Sequence, residues 1–105
     1  MPSFRTLNPV FRPWAQGLFN IARRYHLKPT LTSSYRSIQK QRKLYNKYLR
    51  GQHPFPVAPP GQSLHNYGLA IDMTSTNNPW LAEIWQYWGG RWGGSRDYVH
   101  FAVRR

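Results

Sequence analysis

The sequence contains no cysteine, which excludes disulfides, thiolate metal sites and thiol nucleophiles, and with them zinc fingers and iron–sulfur clusters. Acid is almost as scarce, with three Asp and Glu against fifteen Lys and Arg and a formal net charge of +12 with His neutral. A carboxylate that binds a metal or moves a proton must therefore be Asp72, Glu83 or Asp97, and an imidazole must be His26, His53, His65 or His100. Long apolar runs are also missing. No stretch approaches the roughly 18 residues of a membrane-spanning helix, and Pro9, Arg12 and Pro13 interrupt the region a signal peptide would fill with apolar residues. Neither a leader nor a transmembrane segment is expected.

What is present bounds the chain from the other side. A length of 105 residues accommodates one domain, and 40% hydrophobic with 16% aromatic residues is enough to fold it. The charge predicts an anionic partner, for which nucleic acid, an acidic membrane surface and the bacterial envelope all qualify. Trp14, Leu18, Ile21 and Tyr25 recur at helical spacing and predict a helix over Pro13–Tyr25. Thr30–Ser34 reads as a short strand, and Ser37–Arg50 as a second helix carrying Ile38, Gln41, Tyr45 and Tyr48 and stopping at Gly51. Four prolines between Gln52 and Gln62 make a loop. Strands are expected at Leu69–Thr74 and Tyr98–Val103, with a short helix from Asn78 to about Tyr87 between them.

The chemistry lies after the proline loop. In Ser63-Leu64-His65-Asn66-Tyr67-Gly68-Leu69-Ala70-Ile71-Asp72 an imidazole sits in a loop and a carboxylate in the strand that follows. Strand alternation puts Ala70 and Asp72 on one face, and likewise Tyr98, His100 and Ala102 opposite an apolar set of Val99, Phe101 and Val103. If the two strands are antiparallel neighbours, His100 points toward Asp72. Two histidines and one carboxylate suit catalytic zinc, which commonly takes three protein ligands and keeps a position open. Asp97, three residues before His100, is within reach as a general base, with Glu83 a weaker candidate. Each residue also has a plainer reading, because a lone strand aspartate is usually solvated and a lone histidine near a terminus is usually surface.

The run Ser63, His65, Gly68, Ala70, Asp72, followed by Trp92-Gly93-Gly94 and Asp97-Tyr98-Val99-His100-Phe101, resembles the zinc peptidases that cut peptidoglycan stem peptides. These include the D-alanyl-D-alanine carboxypeptidases and the L-alanyl-D-glutamate endopeptidases found among phage endolysins. The resemblance reaches upstream to Ser33-Ser34-Tyr35-Arg36-Ser37 and runs from about Thr30 to Phe101. It implies zinc ligands at His65, Asp72 and His100, a catalytic base at Asp97, substrate binding and oxyanion stabilisation by Arg36, and a substrate contact from Ser63. The implied fold is α+β, a small single domain with a central antiparallel sheet and helices packed against it, Hedgehog/DD-peptidase-like.

An aspartate rather than a glutamate at position 97 resembles the endolysin endopeptidases more than the carboxypeptidases, so L-alanyl-D-glutamate cleavage is expected, with D-alanyl-D-alanine trimming as the alternative. With Arg104 and Arg105 following the last strand directly, residues 1–105 read as one catalytic domain without a wall-binding module. The +12 surface would then attract the anionic envelope to a monomeric enzyme made in a host cytoplasm and acting on the wall after release. A basic nucleic-acid-binding protein is the alternative of another class, supported by cations interleaved with Tyr45, Tyr48, Trp85, Trp88 and Trp92. Nucleic acid is not expected as the partner, because such binding has no need of the His65, Asp72, Asp97 and His100 order.

Overall fold

A computed structural model describes residues 1–104; Arg105, the end of the basic pair noted above, lies outside the described residues. Three helices, α1 (Arg12–Arg24), α2 (Ile38–Leu49) and α3 (Asn78–Tyr87), accompany four strands, β1 (Thr30–Ser33), β2 (Ala70–Thr74), β3 (Arg91–Gly93) and β4 (Asp97–Ala102). The strands form one antiparallel sheet in the order β1-β2-β4-β3. The fold is thus the α+β arrangement expected. Polar side chains start two of the helices: Ser37 accepts from the Lys40 amide at α2, and Asn77 from the Trp80 amide at α3.

Helices α1 and α3 cover one face of the sheet. The core there joins Phe11, Ala15, Leu18 and Ala22 to Ile71, Met73 and Phe101 of the strands and Leu81, Ala82 and Trp85 of α3. The Trp85 indole N–H donates to the carbonyls of Arg91 and Ala102, at 3.1 and 3.0 Å, and so ties α3 to both β3 and β4. The buried stripe of α1 differs from the aromatic one read in the sequence: Trp14 and Tyr25 are more than half exposed and lie against Trp88 and Trp80. Both stripes have the same spacing, and the one carrying alanines allows the closer approach of α1 to the core.

The opposite face is left for a cleft. Asp72 pairs with His100 and Ala70 with Ala102 across β2 and β4, so the antiparallel neighbours anticipated from the alternation are in place. Strand β3, only three residues long and glycine-bounded, has no alternation to announce it. Its pairing with β4 is irregular, because consecutive Trp92 and Gly93 pair with Phe101 and Asp97. Three residues of β4 therefore bulge out, which increases twist and re-aims side chains. The freed Tyr98 carbonyl accepts from the Trp92 indole at 2.9 Å and the Asn78 amide at 2.7 Å, so no buried acceptor is orphaned. One consequence corrects the expected alternation: Val99 lines the cleft instead of joining Phe101 in the core.

Two glycines are required by this geometry. At Gly93 a Cβ would lie 2.2 Å from the Asp97 carbonyl oxygen, so the partner of the bulge must have no side chain. Gly68 has φ of +68°, and a Cβ there would meet the Asn8 amide nitrogen at 2.6 Å, where Asn8 N–H already donates to the Gly68 carbonyl. Gly68→Ala is expected to cost more than about 2 kcal/mol, combining the left-handed strain with a forced backbone shift, as read from the midpoint of urea unfolding.

Candidate active site

His65 sits in a 3₁₀ turn, Leu64–Tyr67, that Ser63 caps by accepting the His65 amide at 3.2 Å. The turn delivers a buried imidazole to the cleft face of the sheet, where it meets Asp72 of β2 and His100 of β4. His65 Nε2 lies 3.2 Å from Asp72 Oδ1, and His100 Nδ1 lies 3.3 Å from the same oxygen. These separations match the edges of a tetrahedron of ligands around zinc, about 3.3–3.4 Å for ligand bonds of about 2.0–2.1 Å. One ligand atom from each residue can be chosen with all three within 4.8 Å of one another.

The tautomer supplies an independent test of fit. His65 Nδ1 is 2.8 Å from the Ser34 carbonyl oxygen, which can only accept, so Nδ1 carries the proton. Nε2, the atom facing the carboxylate oxygen, can then either donate to it from an imidazolium ring or share a metal ion with it. Outer hydrogen bonding of this kind is how metal-ligating histidines are usually oriented. Burial works to raise the Asp72 pKa, but hydrogen bonds from His100 and His65 and their charges outweigh it and hold this carboxyl well below the usual range. The carboxylate stays ionised and available to a metal.

Arg36 flanks the set. Its guanidinium lies 3.5 Å from Asp72 Oδ2 and donates to Gln41 Oε1 and Ser33 Oγ, each at 2.9 Å. Burial lowers its pKa, with the nearby Asp72 and Asp97 charges acting the other way. Asp97, brought to this face by the bulge, is half-buried, and its carboxyl is pushed up by burial and by the Asp72 charge. A carboxylate so tuned is a better proton acceptor than an exposed one. Together with Ser63, these residues line one cleft of about 680 Å³, walled also by Phe55, Pro56 and Val57 of the proline loop.

All six residues singled out in the sequence therefore meet in one place, whereas Glu83 does not, being exposed on α3 and outside the cleft lining. His53 lines the cleft near its proline wall, and His26 is exposed and not part of the lining. The sequence reading does not assign a role to Ser34, Gln41 or Asn66. Gln41 is fully buried and bridges Arg36 to the proline loop by donating to the Ala58 carbonyl at 2.8 Å. Asn66 holds the Arg36 carbonyl at 2.7 Å and accepts from the Gly61 amide. The place of Gln41 in the same helical stripe as Ile38, Tyr45 and Tyr48 hints that it faces inward, but its partners lie too far along the chain to be read from it.

The fold and the site together define a class, the small α+β metallopeptidases. The family model described as VanY, D-alanyl-D-alanine carboxypeptidase, matches residues 5–89, and the chain belongs to that family. The matched stretch holds Arg36, Ser63, His65 and Asp72, with Asp97 and His100 beyond it. The peptidoglycan L-alanyl-D-glutamate endopeptidase CwlK of Bacillus subtilis (strain 168) is 28% identical over 128 residues, spanning 98% of this chain and 77% of that relative. Among solved structures, a mutant of the vancomycin-resistance D,D-pentapeptidase VanY from a VanB-type cassette, in complex with Zn(II), superposes with a TM-score of 0.72 at 23% identity, over 92% of this chain and 72% of that one. VanYB in complex with D-alanine-D-alanine gives 0.73 at 24% identity, over 92% and 71%. The resemblance read from the motifs is thereby borne out at the level of family and fold.

Proposed function

We propose that the chain is a zinc-dependent peptidase of peptidoglycan stem peptides, cutting between L-alanine and D-glutamate. The observation that carries the reading is the convergence of one ligand atom each from His65, Asp72 and His100 within 4.8 Å of one another, with Asp97 and Arg36 lining the same cleft. His65, Asp72 and His100 would hold the zinc ion, which when bound supplies Lewis acidity and lowers the pKa of water to near neutrality.

The chain's own residues do the rest. Asp97 accepts a proton from the attacking water and returns it to the amine that leaves. Arg36, fixed by Gln41 and Ser33, directs its guanidinium at the oxygen on which charge develops, a preorganised interaction that strengthens toward the transition state. The hydroxyl hydrogen of Ser63 remains free to donate to substrate, since Oγ serves the turn as an acceptor. The apolar wall of Phe55, Pro56 and Val57 keeps water from part of the site.

The endopeptidase reading is supported by the similarity to CwlK across nearly the whole chain and by the aspartate at position 97. That aspartate also supports an endolysin role, in which a bacteriophage protein reaches the wall after release from the host cell. No helix among the described residues is long and apolar enough to cross a membrane. The +12 charge supports attraction to an anionic envelope, and residues 1–105 are proposed to act as one monomeric catalytic domain.

The second reading, D-alanyl-D-alanine carboxypeptidase, has its own support in the family's description and in Arg36, which would suit a terminal carboxylate. Digestion of purified peptidoglycan separates the two. New L-alanine carboxyl and D-glutamate amino ends are the expected products, whereas free D-alanine released from otherwise intact stems would establish the carboxypeptidase instead. Neither product, with the zinc site loaded, would overturn the peptidase reading itself.

A further inference from the structure

Helix α2 is unusual in how little of it is buried. Gln41 is its one fully buried residue, and with Leu44 it lines the cleft, so the inner side of the helix is part of the site. The outer side carries Lys40, Lys43, Lys47 and the capping Arg50, all exposed, at successive spacings of three, four and three residues. That spacing places four cations along one face, in a ridge about 15 Å long at 1.5 Å per residue.

Nothing neutralises this ridge. Neighbouring cations at these spacings repel and weaken a helix, and natural helix surfaces usually interleave acids with them. Here α2 contains no acid at all, and among the described residues the one ion pair of a Lys or Arg with a carboxylate side chain is Arg36–Asp72 in the cleft. A face built against its own stability, beside the substrate cleft, is complementary to a line of negative charge.

We propose that the outer face of α2 is a docking ridge for a linear phosphodiester polymer of the cell wall, which it holds alongside the cleft. That choice of source rests on the peptidase reading, since the polymer lies where the stem peptides lie. A nucleic acid fits the face less well. Base stacking needs aromatic rings within the cationic stripe, but the nearest ones, Tyr45 and Tyr48, project from the half of the helix that carries Gln41 and pair with each other at 6.4 Å between ring centroids. What the ridge offers is a line of positive charge without base recognition.

The test is direct binding to purified poly(glycerol phosphate), followed across a salt series. It reads no turnover, so it stands or falls separately from the peptidase assay. Wild-type protein should bind with strong salt dependence. Replacing Lys40, Lys43, Lys47 and Arg50 with glutamine should weaken binding at least about tenfold and reduce the slope of log affinity against log salt by about 3, at roughly 0.7 per phosphate contact on a single strand. An equal-charge control, with glutamine at the exposed Arg5, Arg23, Arg24 and Arg104, should lose much less. A variant with arginine at 40, 43 and 47 should bind like wild type, which separates charge from helix damage. Equal losses in the two glutamine variants would make the attraction a property of the whole surface and overturn the ridge. Tighter binding to a single-stranded oligonucleotide of the same phosphate number would overturn the wall polymer as its partner.

Discussion

Asp97→Asn is expected to lower kcat for stem-peptide hydrolysis at least about 100-fold while the zinc content and the unfolding transition stay near those of the wild type. General base catalysis contributes about 10² to 10⁴, and the amide is close in size to the carboxylate but cannot accept the proton. The pH profile gives a second readout. The base works only when ionised; burial and the Asp72 charge raise the Asp97 pKa in the metal-free site and a bound zinc ion would act the other way, so activity should fall as acid protonates Asp97. In the variant, the acid limb should change, retaining only what ionisation of metal-bound water and of the metal ligands contributes. A near-native rate would remove Asp97 from the chemistry, and Glu83 could not replace it, because α3 holds it outside the cleft.

His100→Ala should abolish stoichiometric zinc binding, since it removes one of the three donors that converge among the described residues. Elemental analysis after dialysis is the direct measurement, and stability gives an independent one. Metal that binds the native state alone stabilises it by about 2.7 kcal/mol at a hundredfold excess over Kd. Zinc should therefore raise the Tm of the wild type and leave that of His100→Ala unchanged. His65→Ala should lose the same response and in addition be less stable without metal, because the buried Ser34 carbonyl oxygen loses the Nδ1 donor that satisfies it. Full zinc occupancy in both variants would move the metal elsewhere.

The parts of this site that could be read beforehand are those governed by regular periodicity. Asp72 and His100 face each other because two strands alternate as strands do, and the small Ala70 and Ala102 beside them pair in the same register. The proline loop, the helix limits and the position of Gly68 followed from backbone chemistry just as local. What escaped the reading depends on departures from periodicity or on contacts distant in sequence. A regular β4 would put Asp97 and His100 on opposite faces, and only the tertiary pairing with a three-residue β3 reveals the bulge that reconciles them. The buried stripe of α1 was ambiguous because Phe11, Ala15, Leu18 and Ala22 have the same intervals as Trp14, Leu18, Ile21 and Tyr25. Gln41 gave no local sign that it would be fixed between Arg36 and the Ala58 carbonyl, seventeen residues away.

The bulge also separates two inheritances. Two of the three metal-binding residues, Asp72 and His100, are held by the regular pairing of β2 with β4 and the third by the Leu64–Tyr67 turn, whereas the base is aimed by the irregular pairing of β4 with β3. A change confined to Tyr98, Val99 or Gly93 that re-aims Asp97 and spares His100 would silence hydrolysis and leave the metal-binding set in place. Metal retention and proton transfer therefore rest on different pairings of one sheet, so the two can be lost separately by substitution.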